Sequence, residues 1–184
     1  MANAMLISAL IVGSLMGSGS GKAPTWLDLK VAGYALKFDD QNPMIGVHDA
    51  KSGFYLVRGV ECDGAHLRVT LTRDRKIVSD EGYRIPGYKP VDGIERYLTL
   101  KEKPLSTLST GKGIKIGDSP QRVRTLLGAA TKTQKTGSRK QFDEMTYFWR
   151  DVKNGEGWEW TNTYTFKGGK LIEISFNREA VPGC

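Results

Sequence analysis

Leu67, Val69 and Leu71 alternate with Arg68, Thr70 and Thr72, the period of two that turns apolar side chains to one face of a strand and polar ones to the other. The same alternation returns near the end of the chain. Met145, Tyr147 and Trp149 share one face of a first strand, and Trp158, Trp160, Asn162, Tyr164 and Phe166 share one face of a second, opposite Glu159, Thr161, Thr163 and Thr165. Gly168 and Gly169 suit the positive φ of a tight hairpin turn, and a third strand follows with Ile172, Ile174 and Phe176 on one face. Earlier, Leu27, Leu29 and Val31 alternate until Ala32 and Gly33, where the phase slips to Tyr34, Leu36 and Phe38. That slip predicts either a bulge at Gly33 or two short strands meeting there. Residues 54–60 form an apolar run of strand length, and Arg73, Asp74, Arg75 and Lys76 read as a polar turn carrying the strand at Leu67 into Ile77 and Val78 as a hairpin.

Residues 113–128 break the period of two. Ser119, or Asp118 before it, can accept a hydrogen bond from a first-turn amide, and Pro120 suits the first helical position because its nitrogen has no hydrogen to lose. Val123, Leu126 and Leu127 then fall at i, i+3 and i+4, and Gly128 ends the turn. A helix this short needs a sheet to lie on. Pro86, Pro90 and Pro104, with the Ser/Thr-rich residues 106–110, place a boundary near residues 101–112. The expected fold class is therefore α+β: a mostly β N-terminal half over residues 26–105, then over residues 106–184 a short helix packed on a three-stranded antiparallel sheet. Residues 1–25 are expected to be a signal-like segment and linker.

The glycine-led turn and helix of residues 113–128, followed by Thr163-Tyr164-Thr165-Phe166-Lys167-Gly168-Gly169-Lys170-Leu171-Ile172-Glu173-Ile174, resembles the small module of the SmpA/OmlA (BamE) outer-membrane assembly lipoproteins and of beta-lactamase-inhibitor-protein-like domains. The likeness covers about residues 111–176, with Ala130 standing where such modules often have proline. It implies a module that binds other proteins and catalyses nothing.

Composition narrows the class without naming a task. The 184 residues are 39% hydrophobic and 26% charged, enough to build a core and too apolar for a disordered chain. The net charge of +7 is spread along the sequence and not gathered in one block, so it makes no strong case for nucleic acid. Residues 5–16 are an apolar run too short to cross a bilayer, followed by Gly17, Ser18, Gly19, Ser20 and Gly21, small residues of the kind signal peptidase accepts. Export to the periplasm or the medium is expected, with no transmembrane span; a buried N-terminal strand or helix is the alternative. Cys62 and Cys184 would suit one disulfide in an exported protein, closing a loop for up to about 4 to 5 kcal/mol. Two free thiols are the other possibility.

No constellation in the sequence assigns a reaction. Cys62 and His66 fall short of the four ligands a structural zinc needs, His48 being the only other histidine, so no metal is expected. Met16 and Ala23 exclude a phosphate loop at residues 17–23, and no cofactor is implied. Asp143, Glu144, Glu156 and Glu159 read as a solvated acidic edge, and residues 131–141 as a solvated basic loop. The aromatics carry more weight. A helix with only Val123, Leu126 and Leu127 on its apolar face cannot cover Tyr147, Trp149, Trp158, Trp160 and Tyr164 together, so these five are the candidate partner-binding residues, unless they form a core shared with the N-terminal half. The expected function is that of an exported, non-enzymatic protein-binding module. The alternatives are a small hydrolase or ligand-binding enzyme between the halves, using His48 or His66 beside a carboxylate, and a basic nucleic-acid-binding protein using residues 132–140.

Overall fold

The computed structural model describes residues 22–35, 45–61, 66–89, 98–137 and 141–182. Its elements in chain order are β1 (Lys30–Val31), β2 (Tyr34–Ala35), β3 (Gly46–Asp49), β4 (Phe54–Glu61), β5 (His66–Thr72), α1 (Arg75–Asp80), β6 (Tyr83–Arg84), β7 (Leu98–Thr99) and β8 (Lys101–Glu102). There follow α2 (Pro120–Leu127), β9 (Lys132–Thr136), β10 (Phe142–Lys153), β11 (Glu156–Lys167) and β12 (Lys170–Val181). Eight strands form one sheet in the order β8-β3-β4-β5-β12-β11-β10-β9. Every neighbouring pair in it is antiparallel except β3 and β8.

The expected α+β class is overturned. Of the described residues 53% are in strand and 10% in helix, and the protein is mostly β. Strands from both halves make the same sheet, because β5 pairs with β12 from His66 and Glu179 to Leu71 and Ile174. The physical reason lies in the side chains: Leu67, Val69 and Leu71 on β5 continue the apolar surface of Ile174 and Phe176 on β12, and separating the two strands would leave two long hydrophobic edges unpaired.

One face of the sheet carries the main core. Val47, Leu56, Leu71, Ile174, Tyr164 and Phe166 lie buried beneath a layer made by Val31 and Ala32, Ile114, and Val123 and Leu127 of α2. The layer is tied to itself by backbone: Ala32 donates to Ser109 (2.8 Å) and Gly111 to Lys30 (2.8 Å). The Ser119 hydroxyl caps α2 by accepting from Arg122 N (3.2 Å), and Gly117 and Leu171 exchange the chain's register with the sheet through Gly117 N to Leu171 O (2.8 Å). The phase slip at Gly33 is two short strands meeting at a tight turn, with positive φ at Ala32 and Gly33.

Among the described residues the second face is covered over β3, β4 and β5 alone. Tyr55 and Val57 pack there against Val78, Tyr83 and Ile85, with Leu98 and Leu100 at the margin. Val78 belongs to α1 and not to the strand expected around Ile77 and Val78, because the Asp74 carboxylate accepts from Lys76 N (2.8 Å) and starts a helix in place of a hairpin turn. Residues 132–136, expected as loop, are the edge strand β9, paired with residues 142–146 of β10. Ile172 leaves the face it was expected to share with Ile174, since the register shifts between Thr165 and Phe166 and it is Leu171 that turns inward. Residues 1–21, Leu36, Phe38, Cys62, Cys184, Arg139 and Lys140 lie outside the described residues. Among the described residues no helix is long and apolar enough to cross a membrane.

Candidate functional site

Strands β10, β11 and β12 run for 12 residues each, and their apolar face divides into two zones. In the inner zone Tyr147 and Tyr164 are fully buried, in an edge-on pair with ring centroids 5.9 Å apart, and Trp26 closes over Tyr147 at 5.7 Å. The Tyr147 hydroxyl donates to Gly128 O (3.0 Å), fastening the end of α2 to the sheet. Burial raises the phenol of Tyr164 well above its ordinary range, with Asp28 and Tyr147 adding to the shift, and burial raises that of Tyr147 too. Asn162 follows in the same row, its amide donating to Asp28 O (3.2 Å). These side chains position the fold and are closed to a partner.

The outer zone begins one step further along each strand. Cross-strand register sets Trp149 opposite Trp160 and Trp160 opposite Arg178, with Trp158 the next aromatic on that face. The indoles of Trp149 and Trp160 stack at 6.3 Å with 24° between planes. The Arg178 guanidinium lies 4.0 Å from the centre of the Trp158 ring and 5.9 Å from that of Trp160. The result is a ladder of alternating rings and cation in which Trp160 is 6% exposed and Trp149 and Trp158 are half-buried. Each cation–ring contact is worth about 0.5 to 2 kcal/mol, more as water is excluded.

Of the five aromatics singled out in the sequence, the structure therefore brings Trp149, Trp158 and Trp160 together and sets Tyr147 and Tyr164 apart beneath the covering layer. Arg178 was not singled out. Counting back by twos from it through Phe176 to Ile174 would have placed it on the aromatic face.

The other candidate groups disperse. His48 Nδ1 lies 2.6 Å from Glu102 Oε1, with its ring stacked on Tyr55 at 4.4 Å, and His66 Nε2 lies 2.6 Å from Asn177 Oδ1. The two histidines sit on different strands of the second face, His48 beside the edge and His66 toward the middle of the sheet. Asp143 pairs with Lys135 (3.0 Å), Glu144 accepts from Gln134 (2.7 Å), and Glu159 pairs with Arg150 (3.0 Å), so these three acids are matched locally, while Glu156 is exposed at the start of β11. Among the described residues no three His, Cys, Asp or Glu side chains gather as a metal site would need; Cys62 lies outside them.

The second face behaves differently over β9 to β12. There Thr161, Thr163, Thr165, Ser175 and Thr146 line up as half-buried hydroxyls, with no element packed on them among the described residues. Thr70 and Ser175 are hydrogen-bonded side to side (3.0 Å), and Thr72 donates to the half-buried Glu173 (2.7 Å). Compared with protein-family models, with curated proteins and with solved structures, the chain matches none.

Proposed function

We propose that the protein is an exported, non-enzymatic module that binds another protein through the aromatic end of its sheet. The observation that carries the proposal is the ladder of Trp149, Trp160, Arg178 and Trp158. Rings fixed by stacking and by a guanidinium have little rotamer freedom left to lose, and half-buried Trp beside Arg is the composition in which binding energy concentrates at protein interfaces. The apolar run at residues 5–16 and the small residues after it support export. The likeness of residues 111–176 to the BamE and beta-lactamase-inhibitor-like modules belongs to the same proposal, since those modules serve in binding other proteins.

The test is site-specific photo-crosslinking from position 180, directly across from Trp158 on the same face of the sheet, in the full chain. Proteins trapped by the wild type should be lost from Trp149→Ala and Trp158→Ala variants that keep the wild-type circular dichroism. A trapped set that is unchanged in both variants refutes the role of the ladder.

A further inference from the structure

β9 covers only part of its neighbour. It pairs with residues 142–146 of β10, and β10 continues to Lys153 with β11 on one side and, among the described residues, no strand on the other. Phe148, two residues past the last pair with β9, shows which way the free groups face: its N–H donates sideways to the Thr131 hydroxyl (3.0 Å), away from β11. In an antiparallel ladder consecutive residues alternate in the side to which they direct their backbone groups. Arg150 and Val152 therefore turn both N–H and C=O outward along the free edge.

The two outermost strands of this sheet are guarded. β9 carries Lys132 and Lys135, and β8 is two residues long and bears Lys101 and Glu102, the short charged strands by which proteins discourage further pairing. The open part of β10 is flanked by Phe148, Trp149 and Val152, and Phe148, 36% exposed, is the large apolar side chain most open to solvent among the described residues. A second copy fits this edge poorly. Antiparallel self-pairing about a two-fold axis sets Arg150 against Arg150 or Asp151 against Asp151, or engages only residues 147–151 around a Trp149 pair and leaves Val152 bare, or engages only residues 150–154 and leaves Phe148 bare. A different extended segment meets neither obstacle, because the pattern along residues 148–153 is a recognisable one: aromatic, aromatic, basic, acidic, apolar, basic.

We propose that residues 148–153 of β10 take an extended segment of another protein as an added antiparallel strand, with an acidic side chain opposite Arg150, a basic one opposite Asp151 and an apolar one opposite Phe148. This mode presupposes the protein-binding role proposed above and adds to it the backbone as the main point of attachment. Side-chain pairs directly opposite one another share a face, so the added strand would lay its apolar residues beside Phe148 on one face and beside Trp149 on the other.

The probe is the labelled peptide Glu-Val-Lys-Glu-Val-Tyr, which places these residues opposite Lys153 through Phe148 in antiparallel order, followed by fluorescence anisotropy on the full chain. Binding should weaken about tenfold or more when its second and fourth residues, which face Val152 and Arg150 in that order, are N-methylated, and should hold when the third and fifth are. Val152→Pro should weaken the unmodified peptide to the same degree while leaving thermal unfolding in place, since the proline removes only an outward N–H. Equal binding of the two methylated peptides, or no binding of the parent peptide, overturns strand addition. A dimer of the wild type that Val152→Pro dissociates assigns the edge to a second copy and overturns it as well. Loss of the crosslinked partner in Trp158→Ala but not in Val152→Pro sinks strand addition and keeps the protein-binding role, whereas retention in both sinks the two together.

Discussion

Replacing Gly46 by alanine should destabilise the protein by dislodging one buried tyrosine. Gly46 lies on β3 facing the second cover, and a Cβ built there would stand 2.1 Å from Tyr83 Cε1 and 2.5 Å from its Cδ1. The ring cannot slide away freely, because Tyr83 is 1% exposed and its hydroxyl donates to Arg58 O (3.0 Å). Overpacking of this kind costs about 1 to 3 kcal/mol. Breaking the hydrogen bond adds about 1 kcal/mol. Alanine returns about 0.5 to 1 kcal/mol by restricting the unfolded chain. The net loss is about 2 kcal/mol, or roughly 4 to 8 °C in melting temperature for a chain of this size. Urea unfolding followed by tryptophan fluorescence measures it. The same substitution in a Tyr83→Val background, where the ring is gone, should be neutral or slightly stabilising. A loss below about 0.5 kcal/mol, or an equal loss in both backgrounds, would refute the steric account.

Two further outcomes concern ionisation. Burial lifts the Glu173 carboxyl above its ordinary range, against the Thr72 hydrogen bond and helped by Asp74 and Glu144, so the folded chain holds that proton more tightly and its stability falls as pH rises from the ordinary glutamate range into the raised one. Glu173→Gln should therefore be more stable than the wild type at neutral pH, with the gap closing in acid; a gap that does not change with pH in chemical denaturation would disprove this. Burial pushes the phenol of Tyr83 from 10.0 to about 12, so alkaline titration of phenolate absorbance should show Tyr83, Tyr147 and Tyr164 lagging behind exposed tyrosines. Stability should decline between those two values for Tyr83, because the unfolded chain releases its proton first; a simultaneous titration of every tyrosine in the native protein would rule it out.

Much of this architecture is written in local patterns, and what is missing from them is mostly non-local. The alternation around Leu67 and that from Trp158 to Phe166 each mark a strand and its two faces. Neither says that β5 lies beside β12, since the partner of a strand is chosen by surfaces that meet only after the chain has turned back. β9 escaped notice for a different reason: Lys132, Gln134 and Thr136 alternate with Thr133 and Lys135, polar on both faces, as befits an edge with little to bury. At residues 73–78 a capping carboxylate competed with a hairpin, and Asp74 decided for helix before Ile77 and Val78 could extend. The site was half legible. Trp158 and Trp160 declared their common face, but the separation of Trp149 from Tyr147 depends on how far Trp26 and α2 reach across the sheet, a length that no single strand encodes.

The pairing of β5 with β12 also sets an order of events in time. Closing it means bringing residues 66–71 against residues 174–179, with most of the chain looped out between, and such long closures slow folding because their entropy is lost before their contacts form. Until the last strand is delivered, the β4–β5 hairpin keeps an apolar flank of Leu67, Val69 and Leu71 without its neighbour. A chain threaded through a membrane N-terminus first would thus stay open and pliable for nearly its whole passage, and would lock only once its final strand had arrived.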